Sequence, residues 1–166
     1  MPLRKLIVLS GLALAVVAAT PASAMGAANG TDRPLNGTST GTNSVNTATG
    51  AGTYQGAGNL SHLGAVTSSG VQTITLTGPN TLSITGAGTT VAANGDELFS
   101  TGSATGTISS TGTATVTTVN TITGGTGRFT GASGTFTITS VSVPVSTVGS
   151  IETLAFTSTT KGQISY

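Results

Sequence analysis

Side chains that could do chemistry are scarce in this chain. Its 166 residues include one histidine, four acidic and five basic residues, and no cysteine. A zinc centre of the usual His/Cys kind needs three or four such ligands close together, so none is expected. No stretch completes a phosphate-binding loop or a dinucleotide fingerprint, and no cofactor is called for. Gly37-Thr38-Ser39-Thr40-Gly41 fits the G-x-S-x-G pattern. A nucleophile elbow also requires a helix after its serine, and nothing that follows has helical periodicity. Asn29-Gly30-Thr31, Asn36-Gly37-Thr38 and Asn59-Leu60-Ser61 are glycosylation sequons that matter only in a eukaryotic secretory path.

Three polar residues remain as candidate ligand contacts: His62, Glu97 and Arg128. His62 lies between Leu60 and Gly64 and, on an extended chain, shares a face with Val66. Turned inward it could exchange a proton near neutral pH; the plainer role is that of a hydrogen-bonded core or rim histidine. Asp96 and Glu97 are neighbours, so on a strand they point to opposite faces and one carboxylate can look inward. Turn support and surface charge form the competing account. Arg128 beside Phe129 suits an anionic ligand, and it equally suits the capping of nearby carbonyls.

The elements that must position these groups follow from composition. Arg4 and Lys5, the apolar run from Leu6 to Ala19, Pro21 and Ala22-Ser23-Ala24 make residues 1 to 24 a secretory signal peptide. A transmembrane anchor would need about 20 apolar residues with retention flanks. Removing the signal leaves Arg33, Arg128 and Lys161 against Asp32, Asp96, Glu97 and Glu152. That near-neutral balance gives no steering toward nucleic acid or anionic lipid. The expectation is an exported chain without a membrane anchor; assembly into a homo-oligomer is left open.

Threonine recurs at every second position in Thr73-Ile74-Thr75-Leu76-Thr77, Thr113-Ala114-Thr115-Val116-Thr117 and Thr135-Phe136-Thr137-Ile138-Thr139. Period two with β-branched residues indicates strands, and strong helix formers are rare after residue 25. The chain is expected to be all-β, with strands near 33 to 41, 59 to 68, 71 to 77, 81 to 92, 96 to 107, 113 to 123, 134 to 145 and 153 to 165. Asn94-Gly95 predicts a tight type I′ hairpin. Residues 25 to 32 form a disordered lead, and the glycine-rich stretch 42 to 58 a mobile loop.

Eight sequential strands in an open sheet would leave two adhesive edges. A closed, antiparallel, up-and-down eight-stranded barrel over 33 to 166, as one domain, removes them. Its first strand must then pair with its last. Inward candidates are Ile74, Leu76, Leu82, Ile84, Val116, Ile122, Phe136, Ile138, Leu154, Phe156, Ile164 and Tyr166. The apolar phase slips by one residue to Val141, Val143 and Val145, which predicts a bulge or break near Thr139 and Ser140.

One segment stands above this background: Gly124-Gly125-Thr126-Gly127-Arg128-Phe129-Thr130-Gly131-Ala132-Ser133-Gly134. Gly124, Gly125, Gly127 and Gly134 permit a chain reversal between strands, and Phe129 can plug a barrel end. The segment resembles the G-G-T-G-x-F-x-x-A-x-G stretch of plant dirigent proteins, whose eight-stranded barrel is shared with allene oxide cyclases and similar small secreted bacterial proteins. Arg33-Pro34, His62-Leu63-Gly64 and Asn94-Gly95-Asp96 are similar to features of the same families, so the resemblance spans residues 33 to 166. It implies a barrel that encloses a small hydrophobic molecule, as a carrier or as a template for a cyclase or coupling reaction. No catalytic residue is carried over, because none lies in the motif, and fold transfers better than function. Against this stands a barrel filled by its own side chains, serving as a secreted structural or adhesive module. An ice-binding face would need a flat repeat of fixed length, and the Thr-x-Thr spacing is irregular.

Overall fold

The computed structural model describes residues 30 to 166. The expected signal peptide and residues 25 to 29 of the lead lie outside the described residues. Eight strands follow one another: β1 (Arg33–Asn46), β2 (Ala51–Leu60), β3 (Gly64–Gly78), β4 (Thr81–Val91), β5 (Glu97–Ile108), β6 (Ala114–Gly125), β7 (Ser133–Val148) and β8 (Ile151–Ser165). Each pairs antiparallel with its chain neighbours, and β1 pairs with β8 from Arg33↔Ile164 to Asn46↔Ile151, closing the barrel in the order β1 to β8. Of the lead, Asp32 accepts a hydrogen bond from Ser165.

Register and burial sort the residues cleanly. Apart from Thr118, the threonines of β6 and β7 face out, and the alternate positions, among them Ala114, Val116, Asn120, Ile122 and Phe136, are buried. One apolar cluster closes one end, with Leu35, Leu63, Val66, Leu98, Ile122, Phe129, Phe136 and Ile164. A second, Leu82, Ala104, Ala114 and Val116 with Ile74, Ile84 and Ile108 against it, lies toward the other end. Between them runs a polar belt. Ser39 and Ser158 share a hydroxyl hydrogen bond of 2.7 Å, and Ser68 and Thr90 one of 3.0 Å.

The stretch 42 to 58, expected to be a mobile loop, is mostly strand. β1 runs on to Asn46, a short turn follows, and β2 begins at Ala51. Glycine is not punctuation in this stretch. In β1 and β2, Gly37, Gly41, Gly52, Gly56 and Gly58 occupy the positions in register with Leu35, Val45 and Tyr54 that face inward. They make room for side chains from elsewhere: a Cβ on Gly56 would lie 2.9 Å from the Phe156 ring, and one on Gly70 would lie 2.6 Å from that of Tyr54.

The expected break between 68 and 71 falls instead at 61 to 63, so β3 is a single strand. The hairpin at Asn94-Gly95 is present, but of the two only Gly95 has positive φ, at +88°. Gly95 N–H donates to the Ala92 carbonyl and Ala92 N–H to that of Asp96. That pattern is a three-residue loop ending in a left-handed glycine, in place of the type I′ turn. The bulge expected near Thr139 and Ser140 occurs between Pro144 and Ser146. Val141 and Val143 are not brought inward: they stay outside, and Ser142 is buried in register with Phe156.

Candidate functional site at the plugged end

The glycine segment leaves β6, forms one 3-10 turn over Gly127–Phe129, and re-enters the sheet as β7. Gly127 has φ +53°, and a Cβ there would collide with the Asp96 carboxylate. This position therefore needs glycine twice over, for its backbone and for the seat of an acid. The turn drops Phe129 into the barrel end, where it is 0% exposed. Tyr166 meets its ring edge-on, with centroids 4.9 Å apart and planes at 74°.

Arg128 lies over this plug, its guanidinium carbon 4.7 Å from the Phe129 ring centre and 5.9 Å from that of Tyr166. It donates to the main-chain carbonyl of His62 at 2.9 Å, and its Nε is 4.0 Å from Asp96 Oδ2. The same carboxylate oxygen accepts the Arg128 backbone N–H at 3.1 Å and the Asn94 amide at 2.6 Å. These hydrogen bonds, the Arg128 backbone first and the Asn94 side chain next, hold the Asp96 carboxyl below its usual range, and the Arg128 charge adds to them. Arg33 also stacks on Tyr166, at 4.7 Å. Three loops, at 61 to 63, 92 to 96 and 126 to 132, are thus pinned over one end.

Two of the three candidate residues come together here, though not as expected. His62 is not on a strand and does not face the interior: it is an exposed turn residue with φ +66°, and it offers Arg128 its carbonyl. The turn is needed because β2 must reverse into β3, and His62 with Gly64, at φ +76°, supplies the left-handed backbone. Arg128 caps a carbonyl and a ring. Glu97, next to inward Leu98, lies on the outer face, where its backbone exchanges hydrogen bonds with Thr126. The acid that meets Arg128 is Asp96, one residue earlier, in the loop. Spacing alone does not choose Asp96 over Glu97 or point to Asn94, Arg33 and Tyr166; the fold reveals them by bringing the 92 to 96 loop and the C-terminal ring to the motif.

The chemistry open to this arrangement is narrow. Arg128 is paired with Asp96, so an anionic ligand would have to compete with a carboxylate already in place. Among the described residues no group of three His, Asp or Glu side chains gathers as a metal site. Two adjoining grooves of about 450 and 460 Å³ lie elsewhere, on the outer wall of β1, β2 and β3. Both are bordered by Thr42, Gln55 and Ser69, and neither has a charged residue in its lining. Compared with protein families, with curated proteins and with solved structures, the chain has no significant match in any of the three.

Proposed function

We propose that this protein is a secreted, non-enzymatic β-barrel module that works through its neutral, hydroxyl-covered outer wall, with an interior filled by its own side chains. The observation that carries this reading is the fit of large inward side chains over inward glycines. Tyr54 lies across Gly70 and Gly88, Phe156 across Gly41 and Gly56, and Asn120 against Gly102. Space that the glycines would leave for a ligand is taken up internally, as close packing requires. Desolvation raises the Tyr54 phenol above its ordinary value, in keeping with a side chain that has left water.

A second reading has an observation of its own. The end away from Phe129 is incompletely covered: Leu76, in the inward register opposite Leu82, is 39% exposed, and Leu154 and Phe156 are only half-buried. A small hydrophobic molecule could bind there, and the likeness to allene oxide cyclase and dirigent barrels supports it. One titration separates the two readings. A fatty acid and its alcohol are added to the protein at fixed salt, with Leu76→Asp and Arg128→Ala alongside. The filled module gives no saturable binding to either probe. One-site binding that Leu76→Asp removes and Arg128→Ala leaves intact would establish the second reading in its place.

A further inference from the structure

The β7–β8 hairpin is longer than the wall it belongs to. β6 begins at Ala114, opposite Ser142, so Val143 to Val148 continue beyond the last pair with β6. On the other side the hairpin is covered, because β8 pairs with β1 as far as Asn46↔Ile151 and the Thr47 N–H donates to the Ser150 carbonyl. The turn between β5 and β6 approaches Pro144 at Gly112, yet no main-chain hydrogen bond from it reaches 143 to 148 among the described residues. This strand edge is therefore open; β3 also runs on past β2, from Thr75 to Gly78, as a shorter one. The β7 edge is also the most apolar part of the outer surface, with Val145 63% and Val148 77% exposed, Val141, Val143 and Ile151 exposed beside them, and no charged residue from 141 to 151.

We propose that this edge and its valines are the contact for a second copy of this chain, paired antiparallel about a two-fold axis. Unpaired backbone N–H and C=O groups on an extended strand are best met by another strand. An edge that meets its own copy antiparallel is self-complementary, as a two-fold contact requires. The nearest charge in the hairpin is the single carboxylate of Glu152, in register with Thr147, which repels an acidic partner and offers little to a basic or lipid one, whereas the valine edge of a second copy matches it. Pro144 withholds one N–H, and the bulge at Val145 turns the edge, so the paired stretch is short. Each barrel has one such valine-bearing edge, and the pair uses both. The assembly stops at two and does not grow into a fibre, and this holds whatever the interior contains.

The test is sedimentation velocity on the purified protein from about 1 to about 100 µM, the range in which a small interface associates. Wild type moves from monomer to dimer with concentration. Val145→Lys/Val148→Lys, on a tip outside both core clusters, keeps its circular dichroism and melting temperature and dimerises at least tenfold more weakly. Because the chain has no cysteine, Ser146→Cys provides a second measurement. It forms a disulfide-linked dimer on mild oxidation, at concentrations where Ser103→Cys on the β5 wall does not. A wild type that stays monomeric throughout overturns the proposal, including one that instead binds neutral lipid vesicles. So does a dimer that the double variant leaves intact, or equal cross-linking of the two cysteine variants.

Discussion

At the scale of single residues, the plugged end is held by one acid doing several jobs. Asp96 accepts the Arg128 backbone N–H and the Asn94 amide and faces the Arg128 guanidinium. Its folded pKa is lowered, so its contribution is complete above the ordinary value of 3.8 and is lost as pH falls through the lower folded value. Asp96→Asn should therefore lower the melting temperature at pH 7, and the gap to wild type should shrink as the pH drops below 3.8; a gap independent of pH would remove the charge from the account. Tyr54 has the opposite sign. Its raised pKa stabilises the fold below 10.0, and that stability is lost as pH rises through the folded value. In Tyr166→Phe, which leaves Tyr54 as the only phenol, ultraviolet titration should place ionisation above 10.0, coupled to unfolding. Gly127 supplies the third case. Gly127→Val combines left-handed backbone with a collision against Asp96, about 2 to 4 kcal/mol together, whereas Gly149→Val, at φ +60° with nothing within 4 Å, meets the backbone cost alone, about 1 to 2 kcal/mol. Equal melting temperatures for the two variants would deny Gly127 its role. Gly50 makes a poor control, since its positive φ and the nearby Ile74 carbonyl put it in a formed turn.

At the scale of elements, inward glycines and the rings laid over them should act as units. Gly70→Ala presses on Tyr54, and Tyr54→Ala empties the space. Each should destabilise the barrel, and the double variant should lose less than the sum by about 0.5 to 3 kcal/mol, the usual range for residues in contact; additive losses would mean that Tyr54 does not lie on Gly70 in solution. The same pairing explains what was legible in the sequence. Where threonine alternates with isoleucine, valine or phenylalanine, as in β6 and β7, strand and face could both be read, because the inward positions announce themselves by hydrophobicity. In β1 and β2 many inward positions are glycine, serine or asparagine, which carry no such signal and look like loop, so periodicity does not reveal the strand from 42 to 58 or the turn at His62. Val141 and Val143 mislead for the converse reason: they are apolar and face outward. The plugged end was half legible. The glycine motif declared a reversal around Phe129, but the partner of Arg128 depended on whether position 96 or 97 opens the strand, a boundary that periodicity resolves poorly.

At the scale of the whole molecule, closure joins the first and last strands of the barrel. β1 and β8 pair over fourteen positions, and a Cβ on Gly30 would stand 2.6 Å from the Tyr166 backbone nitrogen, so the described termini are in contact. That contact is the most distant in sequence and the slowest to find, because the loop that must close is almost the whole chain. A short linker from Tyr166 to Gly30 would turn β8 and β1 into a hairpin. New termini can be opened in the turn between β5 and β6, at Thr111, away from the Asp96 and Arg128 contacts. Termini that lie together tolerate such permutation, and what was global pairing becomes local. The permuted barrel should keep its strand content and refold faster than the natural order in stopped-flow experiments, while the pairing between β5 and β6 becomes the late step. Refolding at an unchanged rate would mean that closure between β1 and β8 does not limit folding. Loss of the fold would mean that the turn at Thr111 is needed to start it, and the hydrogen bonds linking Ser109, Thr111 and Thr113 would then be the place to look for a nucleus.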